Sequence, residues 1–178
     1  MPASNVDAPR RAARHYGKYR ATVVNNIDPE RMGRVILEVP DVLGGQPSGW
    51  AMPCVPVAGV QSGFFIAPEI GAHVWAEFEG GDPDLPIWTG GFWGTAAELP
   101  ISASTQPMTI VLETAGQAAL TVSDAPPTAA SGGIILKSPS GAMIVVNDAG
   151  IFISNGKGAT ITLIGPTVDV NAGALTVD

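Results

Sequence analysis

The 178-residue sequence has only one cysteine and two histidines, so the chemistry available to a single chain is limited. Cys54 alone excludes an intramolecular disulfide and a cysteine-based zinc site within one chain, and we interpret it as a small buried apolar residue. His15 and His73 stand in no recognisable nucleophile motif, which argues against a Ser-His-Asp triad. Asp82 and Asp84 lack the regularly spaced oxygen ligands of a calcium loop, and we interpret them as turn-capping residues. We therefore predict no enzymatic activity and no catalytic, cofactor-binding or metal site.

Basic residues are almost missing after position 34. The chain has nine lysines and arginines against sixteen aspartates and glutamates, and only Lys137 and Lys157 follow Arg34. An acidic body repels phosphate groups. Aromatic platforms for single-stranded nucleic acid need interleaved basic residues, and the stretch around Trp75 and Trp88 has none. We predict no nucleic-acid binding.

Long apolar runs are also missing. No run approaches the roughly 20 residues that span a bilayer, and the basic N-terminal stretch continues into Tyr16-Gly17-Lys18 without the apolar core of a signal peptide. We therefore expect assembly in the cytoplasm.

Glycine and proline, by contrast, are abundant. The 22 glycines and 16 prolines favour many short strands and turns over long helices. Ala72–Glu79 alternates apolar and more polar residues with period two, and Pro86–Trp93 is a second strand-like stretch. The segment between them, 80–86, combines conformationally free glycines, φ-fixing prolines and aspartates that can bond to nearby amides. These features predict a β-hairpin with a stiff loop.

The motifs of this hairpin and of an earlier one resemble a known family. From Pro68 the chain reads Pro-x-x-Gly-x-x-Val, then Phe-x-Gly-Gly-Asp-Pro, then Pro-x-x-x-Gly. Upstream, a strand from Tyr19 ends at Asp28-Pro29, and a Gly-Arg-Val strand begins at Gly33. In this order and spacing, over residues 16–94, the motifs resemble the five-stranded barrel of phage baseplate assembly protein V and of the valine-glycine repeat proteins of type VI secretion.

The resemblance implies an all-β protein with an N-terminal five-stranded OB-fold barrel and a C-terminal trimeric β-helical, or β-prism, spike. The corresponding segments are a flexible basic arm (1–17), the barrel or collar (18–94), a linker (95–107) and the needle (108–178). Some members of the family insert a lysozyme-like domain after the barrel. The short linker has no room for one, so their muramidase activity is not expected here.

Two regions of the barrel carry more specific predictions. Trp50–Val57 is predicted as a third strand, broken by Pro53 and Pro56. Phe64 and Phe65 are predicted to plug one end of the barrel.

The needle segment contains eight short strand-like pieces separated by turns. These pieces are Met108–Glu113, Ala118–Ser123, Gly133–Ser138, Ala142–Asn147, Ile151–Ser154, Thr160–Ile164, Thr167–Val170 and Ala174–Val177. The stretch from Pro126 to Gly132 interrupts them and is predicted to be a protruding loop. Apolar residues occur on both faces, and one thin chain has too little interior to bury them.

Two arrangements could bury these residues, three intertwined chains or a single-chain β-solenoid, and it is the resemblance that implies the trimer. The predicted trimer core consists of Ile134, Leu136, Ile144, Val146, Ile151, Ile153, Ile161, Leu163, Val168 and Val170.

The function implied by the resemblance is that of a structural central spike in a contractile injection system, such as a phage tail or a tail-like particle. The spike would join the tube or hub to the needle and pierce the target envelope mechanically, touching a membrane or cell wall only during injection. Its expected partners are two further copies, the tail-tube, hub and baseplate proteins, and a separate tip protein of the proline-alanine-alanine-arginine repeat (PAAR) type at the C-terminal end. It would end in a virion or a tail-like particle.

The arm residues Arg10, Arg11 and Arg14 are expected to contact an acidic surface of the hub or baseplate. A solvated tail is the other interpretation of the arm.

Two other functions stay open on the residues alone. One is an OB-fold binding module for an oligonucleotide or oligosaccharide, with a β-solenoid appendage; it would need a basic, aromatic groove, which the barrel after Arg34 lacks. The other is an envelope-degrading enzyme, which the missing insertion and the scarcity of histidine disfavour.

Overall fold

The computed structural model describes residues 13–103 and 109–177. The chain divides into two compact units, Met1–Ala96 and Ala97–Asp178. Apart from one-turn helices, the elements of both units are β-strands, which confirms the all-β fold class.

The first unit contains a closed five-stranded barrel. Its elements are β1 (Tyr19–Asn25), β2 (Val35–Glu38), α1 (Pro40–Leu43), β3 (Pro47–Pro53), β4 (Ala58–Gly59), β5 (Ser62–Gly63), β6 (His73–Phe78), β7 (Pro86–Gly91) and two 3-10 turns, Glu79–Gly81 and Ala96–Glu98. The strand order around the barrel is β1-β2-β3-β7-β6. Alternate residues point inward and form one core, which consists of Ala21, Val23, Val35, Leu37, Val39, Ala51, Val74, Ala76, Phe78 and Trp88.

The predicted hairpin is confirmed as β6 and β7, which pair in antiparallel fashion. In its turn, the Asp82 carboxylate accepts a hydrogen bond from the Asp84 amide at 3.2 Å, the capping role predicted for it. Trp88 enters the core, and its indole N–H donates to the Gly33 carbonyl at 3.1 Å. Trp88 therefore contributes to the core and ties β7 to the segment just before β2.

Three details of the barrel differ from expectation. The third strand is Pro47–Pro53 rather than Trp50–Val57, because the Ser48 hydroxyl accepts the Leu37 N–H at 2.9 Å beside an irregularity in the β2–β3 register. Phe64 and Phe65 do not plug the barrel. They follow the two-residue strands β4 and β5 and are 45 % and 72 % exposed. Cys54, just past the end of β3, is exposed rather than buried.

The loop between β1 and β2 is organised around one buried carboxylate. Asp28 accepts hydrogen bonds from the amides of Glu30 (3.0 Å), Met32 (2.8 Å) and Arg34 (3.2 Å). The Arg34 guanidinium donates two more, at 3.1 and 2.7 Å. The bonds from Arg34, followed by those from the backbone, hold the pKa of Asp28 well below its usual range, and the carboxylate in turn raises the pKa of Arg34.

Asp28→Asn removes the charge from this loop while keeping the shape of the side chain. We expect the melting temperature of the barrel to fall by more than about 5 °C, because five N–H donors lose a charged acceptor. The barrel unit holds all four tryptophans of the chain, so tryptophan fluorescence follows its unfolding selectively. The control, Asp84→Asn, removes an exposed carboxylate of the same barrel and should change the melting temperature by less than about 1 °C.

Asp28 also makes the stability of the barrel depend on pH. Because its pKa is lower in the folded state, its contribution is fully present above the unfolded pKa of about 3.9 and is lost as pH falls through the folded pKa. The difference in melting temperature between the wild type and Asp28→Asn should therefore stay constant from about pH 7 to pH 5 and shrink below about pH 4. A difference that did not change at about pH 3 would contradict the lowered pKa.

The second unit is one eight-stranded antiparallel sheet in which each strand pairs with its neighbours in sequence. Its strands are β8 (Thr109–Glu113), β9 (Ala119–Thr128), β10 (Ser131–Lys137), β11 (Met143–Asn147), β12 (Gly150–Ser154), β13 (Thr160–Ile164), β14 (Thr167–Val170) and β15 (Leu175–Val177). The eight predicted pieces are confirmed as strands. The single-chain solenoid is wrong, because connections this short join antiparallel neighbours, whereas parallel strands need long crossovers.

The prediction of a protruding loop from Pro126 to Gly132 is also wrong, because most of this segment is β-strand. The segment extends the β9–β10 hairpin, with Thr128 paired to Ser131 across a two-residue turn. The register shifts between Ser131 and Gly133, and Gly132 and Gly133 both adopt positive φ. Asn147 ties the extension to the sheet, because its amide donates to the Thr128 carbonyl at 2.7 Å.

The two flanks of the sheet are closed by different turns. On one flank, five-residue connections at Thr114–Ala118, Ser138–Ala142 and Asn155–Ala159 share one design. The first residue donates its backbone N–H to the carbonyl of the fifth (2.8 to 3.1 Å), and its side-chain oxygen accepts the N–H of the fifth (3.0 to 3.2 Å). The other flank has two-residue turns at 129–130, 148–149 and 165–166. The capped turns fix the register of each hairpin.

Gly133 is a position where only glycine fits. Its φ is +72°, and a Cβ there would overlap the Val146 carbonyl oxygen and the Asn147 side chain. We expect Gly133→Ala to destabilise the sheet by more than about 2 kcal/mol. Hydrogen exchange of the β10 and β11 amides would report the loss. Gly116→Ala is the control, because the nearest atom lies at 3.9 Å and φ is not positive, and protection there should stay as in the wild type.

Candidate functional site

One face of the second unit carries two continuous rows of positions that are occupied by aliphatic residues. Residues directly opposite one another in an antiparallel sheet lie on the same face. The pairing register links Ile110, Val122, Ile134, Val146, Ile151, Leu163, Val168 and Val177 into one row. It links Leu112, Leu120, Leu136, Ile144, Ile153, Ile161, Val170 and Leu175 into the other. We call these sixteen positions the aliphatic face.

The aliphatic face is largely open to solvent in a single chain. Twelve of its side chains are between 36 % and 67 % exposed, and no charged residue occupies any of the sixteen positions. The opposite face includes polar and charged residues such as Glu113, Lys137 and Asp169. A contiguous exposed apolar surface of this extent marks a site of association between proteins.

The two units match two family models. Residues 19–93 match the type VI secretion system/phage-baseplate injector OB domain. Residues 109–176 match the phage baseplate V C-terminal trimerisation domain. The chain belongs to the phage baseplate V family. The resemblance found in the hairpin motifs is thereby confirmed, and the barrel is an OB fold. A direct sequence comparison with curated proteins gives no match.

The proteins of this family are structural components of baseplates and injection devices. The match to the trimerisation domain spans fifteen of the sixteen positions of the aliphatic face, all but Val177. The surface that a single chain leaves open therefore lies in the segment that the family uses for association.

The structure brings all ten residues predicted for the trimer core onto the aliphatic face; their place in a trimer stays a prediction. Sequence reasoning missed six further positions, which are Ile110, Leu112, Leu120, Val122, Leu175 and Val177. A signal was present, because each strand of the needle carries two aliphatic residues spaced two apart. The sequence does not reveal the register between strands, and without the register these six positions cannot be assigned to the two rows.

The predicted hub contact is only partly within the described residues. Arg10 and Arg11 lie outside them. Arg14 is paired with Asp82 at 2.8 Å, and its side chain remains 49 % exposed. The next residue, His15, donates its amide N–H to the Gly81 carbonyl at 2.8 Å. Residues 14 and 15 are therefore bonded to the β6–β7 turn of their own barrel.

An apolar cleft of about 490 Å³ lies beside the β4–β5 hairpin. Met32, Met52, Phe64 and Ile66 contribute to its lining, which carries no charged side chain. Its chemistry does not suit an oligonucleotide, so it gives no support to the alternative of a nucleic-acid binding module.

The part of the chain that the structure describes contains no group of three or more histidine, cysteine, aspartate or glutamate side chains placed to hold a metal ion. Within residues 13–103 and 109–177, no helix has the length and apolar character needed to cross a bilayer.

Proposed function

We propose that the protein is the central spike of a contractile injection particle, formed by three copies whose aliphatic faces meet around a common axis. The observation that carries the proposal is the aliphatic face itself, two uninterrupted rows of eight positions, exposed in one chain and lying in the segment matched by a trimerisation domain. Burying the exposed parts of its twelve most open side chains contributes on the order of 10 kcal/mol per chain. That is enough to make assembly a condition of stability.

The same sheet suits a needle. Eight strands at about 4.8 Å spacing extend about 34 Å across the strands. Capped turns and backbone ladders leave few backbone groups of the sheet without partners, so load along the needle would act against many hydrogen bonds at once. In this proposal sheath contraction drives the needle through the target envelope without unfolding it.

Two regions outside the aliphatic face, the N-terminal arginines and the open edge of β15, indicate the other proposed partners. Arg10, Arg11 and Arg14 would contact an acidic surface of the hub or baseplate, although Arg14 would have to share or exchange Asp82. The outer edge of β15 has no partner strand among the described residues. An open edge next to exposed Leu175 would accept a separate tip protein of the PAAR type.

Light scattering of the purified full-length protein tests the trimer. We expect a mass close to three times the 18.2 kDa of the chain. Leu136→Asp places a charge on the aliphatic face, where burial in a trimer would leave it without a partner, so the mass should fall to that of one chain.

The matched control is Lys137→Asp, at the next residue of the same strand and on the opposite face. It adds more negative charge than Leu136→Asp and should leave the trimer intact. A wild-type protein with the mass of one chain, or equal loss of the trimer in both variants, would refute the proposed arrangement.

A further inference from the structure

A cation lies over two aromatic rings on the outer surface of the barrel. Arg20 of β1 stands directly opposite Trp75 of β6. Its guanidinium carbon is 5.2 Å from the centroid of the Trp75 ring and 4.7 Å from that of Phe92. The Phe92 ring also packs against Trp75 at 4.7 Å and stacks on His73 at 5.3 Å with an interplanar angle of 14°. We call these four residues the arginine clamp.

The clamp is fixed by the sheet as well as by its rings. The Phe92 amide donates to the His73 carbonyl at 3.1 Å, which holds the ring just past the end of β7. Arg20 lies on the outward side of β1, since the next residue, Ala21, and Val23 two positions further along point into the core. The guanidinium is therefore positioned before any ligand arrives, and little side-chain entropy remains to be lost on binding.

Among the residues that the structure describes, no acidic side chain pairs with Arg20, in contrast to the neighbouring cations. Within the described residues, Arg14 pairs with Asp82, Lys18 with Glu77, and Arg34 with Asp28 and Glu30. The contacts of Arg20 in the described part of the chain are the two aromatic rings. A guanidinium that lies over aromatic rings still has N–H donors at its edge that can reach an acceptor.

We propose that the arginine clamp is a docking site for an aspartate or glutamate side chain of a neighbouring protein in the particle. A carboxylate matches the guanidinium edge with two parallel hydrogen bonds. The flanking Trp75 and Phe92 rings keep water away from that ion pair and strengthen it, the arrangement found where arginine and tryptophan dominate protein interfaces. A nucleic acid fits less well, because the clamp offers one cation on a barrel in which acidic residues outnumber basic ones.

A peptide titration tests the chemistry of the clamp in the full-length protein. The probe is acetyl-Leu-Asp-Leu-Glu-Leu-amide, and its Asn/Gln counterpart is the uncharged control. In nitrogen-15 NMR spectra, the acidic peptide should shift the Arg20 side-chain N–H and Trp75 indole N–H signals at millimolar concentration, and added salt should weaken the effect. Arg20→Gln should abolish the shift at Trp75, and Arg20→Lys should reduce it at least about threefold, because lysine lacks the planar fork.

Charge reversal tests the role of the clamp in the particle. Arg20→Glu should lower the amount of this protein recovered in purified particles at least about tenfold, whereas Arg31→Glu, which reverses an exposed cation of the same barrel, should have no effect. Both variants should keep the tryptophan-monitored melting temperature and the trimeric mass. A trimeric Arg20→Glu protein that fails to enter particles thus supports the clamp without bearing on the spike assembly.

Three outcomes would overturn the proposal. The first is no shift at up to about 10 mM acidic peptide together with normal recovery of Arg20→Glu in particles. The second is a larger shift with a thymidine 12-mer than with the peptide, which would assign the clamp to nucleic acid. The third is loss of the trimer in Arg20→Glu, which would place the clamp between copies of this chain. If Arg20→Gln does not fold, the wild-type titration and Arg20→Lys decide the question.

Discussion

Burial of one sheet face is the constraint on which the second unit depends. An eight-stranded antiparallel sheet has two faces, and the described residues of the second unit form no second layer that covers the aliphatic one. Every strand from β8 to β15 places two positions on that face, and all sixteen are isoleucine, leucine or valine. Such a surface is soluble only when another surface covers it. Folding and association of this unit are therefore coupled through the same side chains.

The barrel, by contrast, buries its apolar residues within a single chain. Closure removes its sheet edges, and the inward row from Ala21 to Trp88 fills the interior without help from another chain. Its buried ion pair of Asp28 with Arg34 satisfies five donors with a single carboxylate and closes the loop between the first two strands. The outer surface is then free to carry contact sites such as the arginine clamp.

The sequence was most informative where a pattern is local. Period-two alternation located β6, the turns between strand-like pieces located the eight strands of the second unit, and the order of the turn motifs identified the barrel. The sequence was least informative about features that depend on which strands pair and in what register. Whether eight strands form a solenoid or a meander depends on how short connections orient their neighbours, and the complete aliphatic face emerges only once the register is known.

Single residues account for the other differences. Ser48 extends β3 toward its N-terminus by supplying the acceptor that the Leu37 amide needs. Phe64 and Phe65 look like core residues in the sequence, but ten other residues form the barrel core, and both rings, which follow the β4–β5 hairpin, stay exposed. The clamp contacts of Arg20 depend on the β1–β6 register, which no local motif encodes.

The two flanks of the sheet carry different turns, and this difference concerns the symmetry with which copies of the chain can assemble. One flank has three five-residue capped turns and the four-residue turn 171–174, and the other flank has two-residue turns, so the two sides of each copy differ in bulk. A two-fold dimer joins a surface to itself, whereas a closed three-fold ring joins two different surfaces of each subunit. A sheet with two identical flanks would suit both kinds of assembly equally. With unlike flanks, each copy has two different surfaces to offer its neighbours, which is the kind of contact that a closed ring of three uses.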